Sequence, residues 1–325
     1  MFNKVVVTGS LAFDHIMSMP GSFKNHIMPD QLHILNVSFI MNTFRQEFGG
    51  TGGNIAWTLG LLNTPTTLVA AAGDDFGPYR RHLEKNGFID LSGMRAFKGA
   101  HTARGFVITD GDDNQIWGFY EGAMKESKTI SLKNFLKGKE IVMIAPNNPE
   151  AMMNYVNEAV ASKVPYVFDP AFNIALFTLS DLKKAVKNSH ILIGNDYEIT
   201  LIKRRLRLSS KGLLRNCNIL ITTLGSKGSR IQSKDGLIKI PAASPQNESD
   251  PTGAGDTFRA GFLAGYVRDF PLEICGKMGS LSAVYTVEKY GTQTHRFTLK
   301  QFAQRFRGNF SEELPLSTEF EKRKL

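Results

Sequence analysis

Cysteine is scarce: Cys217 and Cys275 are the two in 325 residues, and they form no CxxC pair. That spacing argues against a disulfide framework and fits reduced thiols in a cytoplasmic protein. The seven histidines show no HExxH spacing, which with the missing CxxC makes a zinc site an unsupported reading. No run of about 18 apolar residues occurs, so a membrane-spanning helix is not expected. The opening MFNKVVVTGS lacks the charged-then-apolar layout of a signal peptide and enters a strand-like segment directly. Neither a GxxxxGK[ST] loop nor a GxGxxG loop is present, which counts against the P-loop and dinucleotide-binding readings. Internal repeats and low-complexity linkers are missing too, so a single domain over 1–325 is expected.

What is present is an ordinary globular composition, 42% hydrophobic and 21% charged, in a chain long enough to bury a core without staples. Positive residues exceed negative ones, giving a formal charge of +9. They are dispersed, apart from Lys203 to Arg215 (KRRLRLSSKGLLR) and a basic end, KRKL. These read as a solvated helix face and a frayed tail; no nucleic-acid or membrane partner is expected, and a positive surface suits a small anionic substrate.

Buried strands are expected at KVVVTG (4–9) and TLVAAAG (67–73). From Glu140 to Ser229 strands and helices alternate. IVMIAP precedes the helical PEAMMNYVNEAVAS, with Pro149 suited to a first turn. PYVFDP precedes LSDLKKAVKN, HILIGN precedes DYEITLIKRRL, and NILITTLG follows. Apolar strands separated by helices imply an α/β fold with a mostly parallel sheet covered on both faces. Two stretches break this rhythm. Residues 15–48 partly alternate apolar with polar, and 100–122 read as a hairpin turning at GDDN. Together they predict a small second sheet inserted as a lid over one end of the large one.

The most informative segment is DPTGAGDTFRAGFLAGYV, Asp250 to Val267. Phe258, Phe262 and Tyr266 recur at helical spacing from Thr257 onward. In front of that helix, Gly253, Ala254 and Gly255 let backbone N–H groups converge on an anion at a helix N-terminus. Asp256 sits inside this anion hole. A carboxylate there makes sense if it accepts the proton of an alcohol attacking a phosphorus held over the helix start.

DPTGAGDTF closely matches the second signature of the ribokinase (PfkB) family, differing mainly at Pro251. The resemblance runs over nearly the whole chain. It implies a three-layer ribokinase-like sandwich and an ATP-dependent phosphotransferase using Mg2+, with Asp256 as general base. GSLAFD (9–14) resembles the family's first strand, and GGTGGN (49–54) its first signature. They imply Ser10, Asp14, Gly50 and Asn54 around the substrate. Asn195 and Glu198 match the N-x-x-E motif associated with magnesium, reached through water. TLGSKG (223–228) resembles the nucleotide-binding turn, implying Thr223, Gly225, Lys227 and Gly228 against ATP. By resemblance alone, Asp250 and Thr252 would ligate a monovalent cation such as K+.

Several strings, among them HTAR (101–104), FYEGAM (119–124) and GTQ (291–293), look most similar to adenosine kinases of the mycobacterial type. They imply transfer to the 5′-hydroxyl of adenosine, with Phe119 stacking on the purine. Gly105 departs from that pattern, standing where a second aromatic is expected. Strand alternation turns the following Phe106 to the other face unless the chain bulges. A sugar kinase for ribose or fructose shares the same catalytic loop and is the alternative; a catalytically silent binding protein on this scaffold is a third. His101 is expected in the cavity or on the lid surface, and Arg104 either reaching phosphate or pairing with a lid carboxylate. Exposed apolar lid residues such as Ile40, Phe44 and Phe106 make a homodimer through the lid a reasonable expectation.

Overall fold

The structure, a computed structural model, describes residues 2–34 and 36–315; the basic end at 322–325 lies outside them. The chain begins with β1 (Lys4–Thr8), β2 (Ala12–Ser18), β3 (Thr43–Gly49), α1 (Thr51–Leu61), β4 (Thr66–Ala72), α2 (Gly77–Glu84), β5 (Ile89–Ala96), β6 (Ala103–Thr109) and β7 (Gln115–Tyr120). It continues through β8 (Glu140–Ile144), α3 (Pro149–Ala161), β9 (Tyr166–Phe168), α4 (Leu179–Asn188), β10 (Ile191–Asn195), α5 (Asp196–Leu206), α6 (Ser210–Leu214) and β11 (Ile219–Thr223). A hairpin of β12 (Ser229–Ser233) and β13 (Gly236–Ile240) precedes α7 (Ala254–Tyr266), α8 (Leu272–Val287) and α9 (Leu299–Phe310).

Among the described residues the strands form two sheets. The larger has nine strands in the order β13-β12-β11-β10-β9-β8-β1-β4-β5. Every pairing from β11 to β5 is parallel, and β12 and β13 add an antiparallel edge. The alternation within β1 shows why both faces are covered. Val5 and Val7 join a core with α1, α7 and α8, while Val6 joins a second core with α3, α4 and α5. All three valines are fully buried, worth about 1.5–3 kcal/mol each. The result is an α/β three-layer sandwich. No helix among the described residues is long and apolar enough to cross a membrane.

The smaller sheet has the order β3-β2-β6-β7 and draws on the two stretches that broke the α/β rhythm, although β2 already starts at Ala12. Its register fixes which side chains share a face. Asp14 lies beside Gly105, and Gly105 lies opposite Phe119. β6 passes through Gly105 without a bulge, so Phe106 turns to the opposite face, where its ring stacks on His15 at 4.9 Å. Ile40 and Phe44 are exposed, as is Phe106 to a lesser degree.

The basic segment from Lys203 to Arg215, which begins in the last turn of α5, is not wholly a solvated face. Arg205 donates to the Ile174 and Phe177 carbonyls, tying α5 to the turn that precedes α4.

Candidate functional site

The start of α7 is built around Gly253, whose backbone is left-handed at φ +79°. A Cβ there would lie 2.8 Å from the Thr292 methyl, so residue and conformation both demand glycine. The turn closes through Ala254 N–H to the Pro251 carbonyl. The N–H groups of Gly255 and Asp256 find no acceptor among the described residues and open toward the site. Asp256 accepts a hydrogen bond from Asn54 Nδ2 at 2.8 Å. Its pKa is raised to about 6, chiefly by burial, against the opposing influence of Arg259 and the Asn54 bond, with Glu198 adding to the rise.

Arg259, one turn along α7, is a residue the sequence reading passed over. It is buried, donates from Nη2 to Asp169 Oδ1 at 2.8 Å, and lies directly behind the anion hole. A Cβ on Gly255 would come within 2.8 Å of Arg259 Nη1. The site therefore carries one fixed positive group beneath two unused N–H donors.

Asp14 projects from β2 into a cradle with no side-chain walls. A Cβ on Gly49 would overlap its carboxylate, and one on Gly105 would lie 2.7 Å from Oδ1. No hydrogen-bond donor reaches that carboxylate among the described residues. Burial raises its pKa to about 6, and the charges of Asp256, Asp250 and Glu47 add to the rise. A desolvated carboxylate without donors is costly, and ligand hydroxyls would supply what is missing.

The glycine-rich turn before α1 brings the first signature into place. Ser10 Oγ accepts from Thr51 N–H at 3.0 Å, and the Ser10 carbonyl accepts from Gly52 N–H. Gly50, at φ +86°, packs against the Ser10 backbone. This turn aims the buried Asn54, on the first turn of α1, at Asp256. Asn54 Oδ1 in turn accepts from Thr292 Oγ1 at 2.7 Å and Gln293 Nε2 at 2.9 Å. Tyr79, which joins this network through Gln293, had drawn no attention in the sequence.

On the Asp14 face of the small sheet, Phe119 and Trp117 are each half exposed. The indole edge of Trp117 lies 3.4 Å from where a Gly105 Cβ would stand. An aromatic ring thus covers the bare backbone at Gly105, supplied from β7 rather than β6. The alternation W-G-F in QIWGFY was the signal for it. Arg104 pairs with Asp75 Oδ2 at 2.7 Å, a carboxylate of the loop after β4 rather than of the lid, and His101 lies 3.6 Å from the same carboxylate.

Thr223, Gly225 and Gly228 line a cavity of about 480 Å3 whose walls are Ala243, Pro245, Phe258 and Val287 and whose end is Ala254 and Gly255. Lys227 does not line it. Asn195 and Glu198 form a capping box at the start of α5, each side chain bonding the other's N–H. Glu198 still contributes to the field at Asp256 and Asp169. Asp250 Oδ1 accepts from Thr252 N–H at 2.9 Å, leaving the carbonyls of both residues without a donor among the described residues. Among the described residues there is no group of three or more His, Cys, Asp or Glu that could hold a metal ion unaided.

Comparison with known proteins identifies the family. The profile described as pfkB family carbohydrate kinase matches residues 4–298. A nucleoside kinase of Methanothermobacter thermautotrophicus is 33% identical over 316 residues, spanning 96% of this chain and 98% of that one. The Burkholderia thailandensis nucleoside kinase in complex with inosine superposes with a TM-score of 0.86 at 31% identity, covering 95% of this chain and 99% of that one. The Methanocaldococcus jannaschii nucleoside kinase, an archaeal member of the ribokinase family, gives a TM-score of 0.86 at 30% identity, over 94% and 98% of the two chains. These relatives are archaeal and bacterial nucleoside kinases, where the sequence strings had suggested adenosine kinases of the mycobacterial type.

Proposed function

We propose that this chain, which belongs to the pfkB family of carbohydrate kinases, transfers the γ-phosphoryl group of ATP to the 5′-hydroxyl of a purine nucleoside such as adenosine or inosine. One observation carries the reading. The donor-free carboxylate of Asp14 shares a sheet face with Phe119 and Trp117 and feels the charge of Asp256 at the anion hole. Ribose hydroxyls answer Asp14, a purine answers the two aromatic rings, and the 5′-hydroxyl is then directed at Asp256. The inosine bound to the Burkholderia relative supports a nucleoside over a free sugar.

The transfer follows from these positions. Asp256, ionised at neutral pH yet with its pKa lifted toward it, removes the 5′-hydroxyl proton as that oxygen bonds to the γ-phosphorus. The bond from the γ-phosphorus to the bridging oxygen breaks, and ADP leaves with the electron pair. Gly255 and Asp256 N–H groups and Arg259 face the charge that develops on the transferring group. The cavity beside Thr223, Gly225 and Gly228 is the place for the adenine end of ATP, and Lys227 would act only at its rim.

A magnesium ion bound mainly by the phosphates and water fits Glu198 with Asn195, because their mutual capping leaves Glu198 one carboxylate oxygen; it would neutralise phosphate charge. The open carbonyls of Asp250 and Thr252 suit a monovalent cation.

The test is ADP release from Mg-ATP with adenosine, inosine, guanosine, ribose and fructose, beside Asp256→Asn. Turnover of nucleosides, reduced roughly 10²- to 10⁴-fold in Asp256→Asn, is expected. Turnover of sugars alone would overturn the nucleoside reading, and an unimpaired Asp256→Asn would remove Asp256 as base.

A further inference from the structure

The hydrogen bond from Asn54 to Asp256 could in principle point either way, because an amide presents a donor at one end and an acceptor at the other. What decides its direction lies three residues away, at a group that cannot rotate. The Gly49 carbonyl, at the end of β3, accepts the Tyr79 hydroxyl proton at 2.8 Å. A phenol has one proton. Having given it to Gly49, Tyr79 can only accept from Gln293, so Gln293 must turn its NH2 toward Tyr79. The second hydrogen of that NH2 goes to Asn54 Oδ1 at 2.9 Å. With its oxygen so engaged, Asn54 has its NH2 left for Asp256 Oδ2, at 2.8 Å.

We propose that Tyr79 and Gln293 are positioning residues that carry a fixed hydrogen-bond polarity from the Gly49 carbonyl to Asp256, guaranteeing the base a donor and holding it as a carboxylate. A proton on the Asp256 oxygen that faces Asn54 would find no acceptor in the relay, so protonation is confined to the other oxygen and the fixed donor favours the carboxylate. Thr292 also bonds Asn54 Oδ1 but does not set the direction. Its hydroxyl lies 2.9 Å from the Phe48 carbonyl as well, so it can donate there and accept from an inverted amide. Gln293 Nε2 has no such freedom.

The surroundings are shaped for the relay. Tyr79 is fully buried, and burial drives its pKa far above the ordinary phenol value, so it remains a donor at every working pH. A Cβ on Gly53 would overlap the Tyr79 hydroxyl and lie 3.0 Å from Gln293 Nε2. Two glycines of GGTGGN therefore have separate tasks, Gly49 as anchor and Gly53 as clearance.

The inference rests on the proposed reading of Asp256 as base, and the experiment separates the two. It measures kcat against pH at saturating nucleoside and Mg-ATP for the wild type, Tyr79→Phe and Gln293→Glu. Tyr79→Phe removes one oxygen and frees Gln293 to invert; Gln293→Glu replaces the donor with acceptors and inverts Asn54. The charged groups coupled to Asp256 are Asp14 from β2, Glu198 from α5 and Arg259 from its own helix with Asp169 behind it, while Asp250 in the preceding loop acts on Asp14. All of them are unchanged in the variants. His82, beside Gln293 on α2, is held neutral, its pKa lowered to about 4 mainly by burial. The acid limb is expected to move up by about half to one unit in Tyr79→Phe and about one to two in Gln293→Glu, with KM for nucleoside little changed. Circular dichroism and ADP binding establish that the variants are folded. Limbs that coincide with the wild type in both folded variants overturn the relay alone. A wild type that turns over no nucleoside overturns the functional reading instead.

Discussion

Asp14→Asn should make the substrate-free protein more stable while crippling it as a kinase. The carboxylate sits in the cradle between Gly49 and Gly105 with no donor among the described residues, and its pKa is raised from 3.8 to about 6. Between those values the folded chain binds more protons than the unfolded one, so stability falls as pH rises through that window. Above pH 6 the loss is complete, and two units correspond to about 3 kcal/mol. Asp14 retains some access to water, which screens the effect, so a gain of about 1–3 kcal/mol is expected on removing the charge. Well below pH 3.8 the carboxyl is protonated in both states, so at pH 4 most of the variant's gain should already be gone. Urea unfolding of both proteins without ligand, at pH 7.5 and pH 4, reads this directly. An Asp14→Asn protein no more stable than the wild type at pH 7.5, or equally stabilised at both pH values, would refute the reasoning.

Trp117 and Trp57 are the two tryptophans, and Trp57 is buried between Arg296 and His82. A change in tryptophan emission on adding nucleoside should therefore disappear in Trp117→Phe. Trp117→Ala should raise KM for nucleoside roughly tenfold, as the loss of one stacking face does; an unchanged KM would remove the indole from the base site. Gly105→Ala places a Cβ 2.7 Å from Asp14 Oδ1, against a side chain too short to step aside. It should raise KM for nucleoside roughly 10- to 100-fold and leave KM for ATP alone; steady-state kinetics with each substrate varied in turn will tell.

The parallel core was legible because its signals are local. Apolar strands such as β8 (Glu140–Ile144) and β10 (Ile191–Asn195) are followed by punctuated helices, with Pro149 and Asn195 marking starts that the structure also uses. The turn that starts α7 was legible for the same reason, since Gly253, Ala254, Gly255 and Asp256 are contiguous. What could not be read depends on pairs far apart in the chain. Tyr79 meets Gln293 across 214 positions, and Arg259 meets Asp169 across 90. Nothing in the local pattern of either residue marks it. Gly105 shows the intermediate case. Its departure from the expected aromatic was visible, and alternation placed Phe106 on the far face. The ring that covers the gap needed the β6–β7 register, which sets Phe119 opposite Gly105 and Trp117 opposite Val107.

The two perturbed carboxylates, each raised mainly by burial, are also coupled through Asp14. Asp14 feels Asp256, Asp250 and Glu47, a concentration of negative charge that the substrate-free fold leaves without donors at Asp14. Under the proposed reading, ribose hydroxyls donating to Asp14 stabilise its ionised form and draw its pKa down. The charge is then held firmly next to Asp256 at the moment the 5′-hydroxyl arrives. A fixed negative neighbour adds to the effect of burial, which lifts the proton affinity of Asp256 toward neutrality, where a general base is most effective. Arg259 opposes this, lowering the Asp256 pKa from behind the anion hole. The relay through Asn54 opposes it as well, by favouring the carboxylate. Substrate occupancy thus pushes Asp256 toward taking a proton while Arg259 and Asn54 keep it empty until the nucleophile is in place. Burial remains the larger cause of both raised pKa values, and the charge on Asp14 adds to that balance only while Asp14 is ionised.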